Sequence, residues 1–168
     1  MSGQYTLAIS IGNGVRSLSG LLSRIAIVVT QPVLRIALAV PFYRSGLTKW
    51  DDFLTLAPSA SFLFEEEFKL HIFGKVYDFP APELLGPVAA AAEVTLPVLL
   101  VIGLATRFSA VGLLIMTGVI QLVLPDGWAN FHLPWAAMSL SIIALGPGPL
   151  SLDYLIENRF NARAKALD

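Results

Sequence analysis

The sequence contains no cysteine and only two histidines. Without a thiolate, this chain alone provides no cysteine nucleophile, no Cys-ligated cluster and no disulfide relay. Disulfides therefore say nothing about its compartment either. Two histidines argue against a multi-His metal centre within one protomer. Charge is also scarce: 14% of the residues are charged, where a soluble domain carries about a quarter. The net charge of −1 gives no reason to expect a nucleic-acid partner. Hydrophobic residues make up 55% of the chain and the mean hydropathy is +0.71. The few charges are confined to short segments, so the chain reads as one integral membrane domain with the lipid bilayer as its first partner.

The longest apolar stretch is ELLGPVAAAAEVTLPVLLVIGLATR, Glu83 to Arg107. Its 22 residues from Leu84 to Ala105 are enough to cross a hydrocarbon core of ~30 Å at ~1.5 Å per residue. Glu93 falls near the middle. An ionisable group at that depth is expensive, faces a bundle interior or a water-filled cavity, and has a partner. The expected partner is Arg35, the lone charge in another apolar run. Pro97 deprives the Glu93 carbonyl of its helical donor.

Four spans are expected, at about 25–43, 84–105, 108–124 and 128–145. The fold class is thus an all-α, four-helix membrane bundle, with residues 25–146 as the membrane domain. Before it lie a tail and a short amphipathic helix, residues 1–24. The helix is read from Val15, Leu18, Leu21, Leu22 and Ile25, with Arg16 and Arg24 between them. A cleaved leader is the rival reading, but Arg35 interrupts its apolar region. Residues 44–83 form a long extracytoplasmic loop, rich in Phe and bearing Glu65-Glu66-Glu67. Within it, Phe68 to Phe79 fits a hairpin around Gly74-Lys75 or a loop lying on the bundle mouth. Gly146-Pro147-Gly148-Pro149 ends the last span. Ser151 then caps a C-terminal amphipathic helix within residues 147–168, with Leu152, Leu155, Ile156 and Phe160 on one face.

Charge sets the orientation. The tails and the 106–107 turn carry six basic and three acidic residues, and the opposite side four basic and eight acidic. The positive-inside rule puts both termini in the cytoplasm. In a diderm bacterium the protein is then a multi-pass inner-membrane protein whose Glu-rich loop and His132 face the periplasm.

Several residues are candidates for a site. Arg35 and Glu93 read either as a quinone-headgroup or proton site, or as an ion pair that fixes helix register. Glu65, Glu67, His71 and His132 would suit a divalent transition metal if they met on the outer face; otherwise they are a solvated acidic loop and a hydrogen-bonded histidine. Lys49, Gln121 and Trp135 are candidate mouth residues, or ordinary interfacial and packing groups.

Pieces of the chain, in this order and spacing, resemble the DoxX family of small four-helix bacterial membrane proteins. They are Arg35, Arg44-Ser45-Gly46-Leu47-Thr48-Lys49, Leu63-Phe64-Glu65-Glu66-Glu67-Phe68-Lys69, Ala92-Glu93, Pro97 and Gly103-Leu104-Ala105-Thr106-Arg107. Further on come Gly118-Val119-Ile120-Gln121, Pro125-Asp126-Gly127-Trp128, His132-Leu133-Pro134-Trp135 and the run from Gly146 to Asp153. The chain departs from the pattern at Phe68, where a tyrosine is usual, and in the stretch HIFGKVYDF. The resemblance implies a membrane subunit associated with quinone, redox, sulfur or metal-stress systems, with no agreed reaction. It leaves three function classes: a quinone-linked redox subunit working with a protein partner, a non-enzymatic membrane anchor or partner, and a small transporter acting as a homo-oligomer.

Overall fold

The computed structural model describes residues 2–52 and 55–164; Lys165, counted above among the basic residues of the C-terminal tail, lies outside them. The chain is mostly helical. Helix α1 spans Ser2–Leu47. The expected tail, surface helix and first span are therefore one helix. No proline precedes Pro32, and the glycines of the first 20 residues lower helix propensity without stopping it. Pro32 and Pro41 lie inside α1, each removing one helical N–H.

Two small sheets and a short helix follow, so the mostly helical chain also carries a little strand, including the hairpin that Phe68 to Phe79 was expected to fit. Strands β1 (Trp50–Asp52) and β2 (Thr55–Leu56) pair antiparallel. Helix α2 (Pro58–Phe62) runs into a wide turn over Leu63–Glu67. Strands β3 (Lys69–Ile72) and β4 (Lys75–Asp78) form a hairpin. Its two-residue turn, Phe73-Gly74, has positive φ at both positions, the geometry whose twist matches paired strands. This segment rests on the bundle through aromatic packing. Phe64 is buried against Gly86, and its ring meets Phe68 edge-on at 5.1 Å and Phe79 at 5.6 Å.

Helix α3 (Pro82–Ile102) ends where Gly103 takes φ 73° and the Leu104 N–H reaches back to the Leu99 carbonyl at 3.0 Å, a left-handed C-cap. Helix α4 (Thr106–Val123) follows at once. Turns over Pro125–Gly127 and Trp128–His132 lead into α5 (Leu133–Leu145). Helix α6 (Leu152–Ala164) closes the described chain, its first turn capped by Ser151 Oγ, which accepts from the Tyr154 N–H at 3.2 Å. Arg159 and Arg163 line one shallow cleft with Ile156 and Phe160.

Helix α1 packs on α3 and α5, and α4 packs on α3 and α5. Their shared core is Leu38, Ala39, Phe42, Leu100, Ala110, Leu113 and Ile142. Polarity is inverted relative to a soluble domain. Gln31, Arg35, Lys49, Glu93, Thr106, Ser109, Thr117, His132 and Ser139 are buried, while Val33, Ile36, Leu84, Phe108, Ile115 and Leu140 are exposed. In water, charged groups are among the least buried and large apolar faces are covered. Two helices, Pro82–Ile102 and Thr106–Val123, are long and apolar enough to cross a membrane.

Candidate functional site

Glu93 lies midway along α3, and its partner is Lys49. The Lys49 Nζ donates to Glu93 Oε2 and, at 2.8 Å, to Ser45 Oγ; a third approach, to the Ser45 carbonyl, is looser at 3.5 Å. The two side chains of the ion pair are 10% and 8% exposed. Local sequence makes the meeting possible. Helix α1 stops at Leu47, and a turn closed by the Lys49 N–H on the Gly46 carbonyl (3.1 Å) brings Lys49 back toward the bundle. Gly46 is the point of closest approach. A Cβ there would lie 2.8 Å from Val94 Cγ2 and 3.0 Å from the Glu93 backbone. With no side chain at 46, α1 settles onto α3 where the carboxylate is waiting.

Arg35 does not take this role, contrary to expectation. It lies against Gly103, within 2.1 Å of where a Cβ would stand, and its Nη2 donates to the Leu150 carbonyl. The reason is register. Antiparallel helices of equal rise keep the sum of facing residue numbers constant. With Gly46 opposite Glu93, Arg35 falls opposite the α3–α4 turn. Ten residues of helix, about 15 Å, separate Glu93 from Gly103. Arg35 and Glu93, expected as one pair, therefore belong to two separate clusters.

Two of the candidate mouth residues, Gln121 and Trp135, do come together, around His132. His132 Nδ1 lies 2.6 Å from Gln121 Oε1, and Gln121 Nε2 donates to the Pro125 carbonyl at 3.1 Å. Trp135 packs its ring against His132 at 5.5 Å and Phe42 at 5.0 Å. Gly127 leaves room for the imidazole, since a Cβ there would sit 2.6 Å from His132 Cε1. The set Glu65, Glu67, His71 and His132 does not gather. The hairpin carries His71 to the end of α4, its Nδ1 3.2 Å from the Leu122 carbonyl, whereas buried His132 faces Gln121. Glu67 is exposed, and Glu65 lines a separate cleft with Glu83. Among the described residues no three His, Asp or Glu side chains are grouped to hold a metal ion.

The second cluster was not anticipated. The Asp153 carboxylate, from the first turn of α6, accepts from the Ala105 N–H and the Thr106 N–H, each at 2.8 Å. These are unpaired donors at the start of α4, where a carboxylate also meets the helix dipole. The Asp153 N–H in turn donates to the Gly103 carbonyl at 2.9 Å. Partial burial pushes the Asp153 carboxyl up, but the hydrogen bonds from Thr106 and Ala105 and the nearby Arg35 charge outweigh it, leaving it below its ordinary value. An Asp in a helix's first turn normally serves its own helix, so the sequence gives no sign of this contact.

Two outcomes are expected. Lys49→Met strands a buried carboxylate and should cost about 3–5 kcal/mol. Lys49→Met combined with Glu93→Met should recover much of that, and a thermal-melting double-mutant cycle in detergent measures the coupling. For Asp153, a depressed folded-state pKa means that the unfolded chain binds its proton first as pH falls. The stabilisation is complete well above the ordinary value of 3.8 and is lost as pH drops through the lower folded value. Acid melting curves of the wild type should steepen in that window, and Asp153→Asn should remove that component.

The chain matches the DoxX family model over residues 30–126. It is also similar to an uncharacterized protein of Haemophilus influenzae, 29% identical over an alignment covering 79% of this chain and 86% of the relative. No solved structure matches it. The family match takes in the Lys49–Glu93 pair, the loop and the α3–α4 turn, more than half of the chain, and on that ground the protein belongs to the DoxX family.

Proposed function

We propose that this DoxX-family protein is a four-span subunit of the bacterial inner membrane, with both termini cytoplasmic, and that it serves a quinone-linked redox system. The four mutually packed helices and their apolar outer faces support the spans. The segment Trp128–Leu145 supplies the fourth by joining its initial turn to α5. The charge asymmetry between the two sides supports the orientation.

The observation that carries the redox reading is the Lys49–Glu93–Ser45 cluster inside a bundle of apolar helices. Reducing a quinone to a quinol takes two electrons and two protons. The cluster offers a cationic donor and a carboxylate side by side, where hydrocarbon surrounds them and lone charges are costly. The loosest of the three Lys49 approaches is the one available to a carbonyl oxygen. Electrons come from a partner protein. A second reading, a non-enzymatic membrane partner or anchor, draws support from a different feature. A cleft of about 360 Å³, lined by Thr55, Ser61, Glu65 and Glu83 among others, opens at the loop end without involving Lys49 or Glu93. That is a polar surface suited to a protein contact.

Two measurements test these readings. Because the chain has no native cysteine, Ser2→Cys should resist, and Ser59→Cys should accept, a membrane-impermeant thiol reagent in cells with a permeabilised outer membrane. Labelling at position 2 overturns the orientation. Protein purified in mild detergent should retain or bind a quinone, and Lys49→Met should lower that affinity at least tenfold. Folded wild-type protein that binds no quinone, yet retains a soluble partner on purification, sinks the first reading in favour of the second.

A further inference from the structure

At the α6 end of the bundle, four buried polar atoms have no hydrogen-bond partner among the described residues. They are Gln31 Oε1, Arg35 Nε, Arg35 Nη1 and Ser109 Oγ; the neighbouring Thr106 hydroxyl faces the Asp153 carboxylate. Their side chains converge. Gln31 and Arg35 stand one turn apart on the same face of α1, and Thr106 and Ser109 one turn apart on α4. Arg35 lies against Gly103 and Ser151 joins it there, Gln31 packs on Gly148, and Thr106 is tied through Asp153 to Gly103. Arg35 is only 2% exposed and Thr106 and Ser109 are 0% and 1%. Buried donors and acceptors are nearly always satisfied, and each one left bare is costly. Four in one junction, while the Lys49–Glu93 cluster at the same helices' other end leaves none among the described residues, mark a place where something else completes the bonding.

We infer that the Gln31–Arg35–Thr106–Ser109 junction is a hydrated site that binds water molecules beneath the 146–153 segment. Charge selects the ligand. The Arg35 guanidinium is already balanced by the neighbouring Asp153 carboxylate, and one of its nitrogens is held by the Leu150 carbonyl. The Arg35–Asp153 pair thus leaves no net charge for an anion to neutralise, and the Arg107 guanidinium lies outside it, exposed against Gly146. The junction does have an excess of donors, from the guanidinium and the Ser109 hydroxyl, against one amide oxygen. Water accepts two hydrogen bonds and donates two, so a small group of waters can take the Arg35 and hydroxyl protons and pass one on to Gln31. The loop that covers the site supplies Gly148 and Gly146, both with positive φ, and its close contact with Gln31 leaves water exchange to go through that loop. The site stands apart from the Lys49–Glu93 cluster and does not rest on the quinone reading.

The sign of a mutational effect tests this. In a dry junction, Ser109→Ala removes an unpaired hydroxyl and should leave the melting temperature unchanged or raise it. In a hydrated one it removes a real bond and should lower it by about 2–4 °C. Reactivity is the second measurement and does not depend on that variant folding well. Ser109→Cys, nearly isosteric, should react with a small water-borne thiol reagent at least ten times faster than Ala110→Cys, whose position is equally buried but faces the apolar core. Melting temperatures that hold or rise, or equal inertness of the two cysteines, overturn the proposal.

Discussion

The burial of one carboxylate in the middle of an apolar helix constrains much of this structure. Glu93 cannot stay charged in that setting without a cation, and the cation has to be delivered from another helix. Lys49 is delivered by the end of α1, by the turn that follows it and by the absence of a side chain at Gly46. Each of these is needed. Extending α1 by another turn would carry Lys49 past the carboxylate, and a side chain at 46 would hold the helices apart. Once Gly46 is seated opposite Glu93, antiparallel geometry places every other residue of α1. Phe42 falls beside Trp135, and Arg35 arrives at the α3–α4 turn.

That dependence shows what the sequence could reveal. Helices α3 and α4 are joined by a turn so short that their register is nearly dictated, although the turn expected at 106–107 lies at 103–105 and the span expected at 84–105 is the helix Pro82–Ile102. The Gly-Pro stop and the Ser151 cap were legible, since both rest on local chemistry. The hairpin turn at Phe73-Gly74 was visible from its glycine. The extended α1 was less visible, because amphipathic spacing in residues 15–25 looks the same whether the helix stops there or continues. The partner of Glu93 was not legible at all. More than 30 residues of loop separate α1 from α3, so the slide of one helix against the other is free in sequence terms. Arg35 and Gly46 share a face of α1 at different heights and Lys49 sits in the turn just beyond it, and only the three-dimensional register decides which cation meets the carboxylate. Asp153 escaped notice for a related reason. In sequence it is the ordinary acidic residue of its own helix's first turn, yet in space its carboxylate caps α4.

The candidate metal residues stay apart through direction rather than distance along the chain. A strand alternates its side chains between two faces, and the β3–β4 pairing sends His71 toward the α4 terminus. His132 sits where the chain turns into α5 and points inward to Gln121. Histidine and carboxylate content on one side of a membrane is therefore a composition statement, not a site. The Gln121–His132–Trp135 arrangement did follow from sequence, because the short connection between α4 and α5 leaves those residues little choice but to face one another.

The two polar clusters divide the bundle. Lys49 and Glu93 lie toward the loop end, and Arg35, Asp153 and their neighbours lie toward the α6 end. Between them sit Leu38, Phe42, Leu100, Leu113 and Ile142, all buried and none able to carry a proton. About 15 Å of close-packed apolar side chains is a poor route for charge, since an unpaired ion within it would meet the full desolvation cost. The clusters therefore cannot communicate by passing charge through the static core. Any coupling between them has to be mechanical, and α1 is the element equipped for it, because it holds Lys49 at one end of the contact and Arg35 at the other. A shift of α1 along α3 that loosened the Lys49–Glu93 pair would also pull Arg35 away from the Leu150 carbonyl and the Gly103 turn. Gly46 sets how far such a shift can go, because its close fit against Val94 and Glu93 is lost as soon as the helices slide.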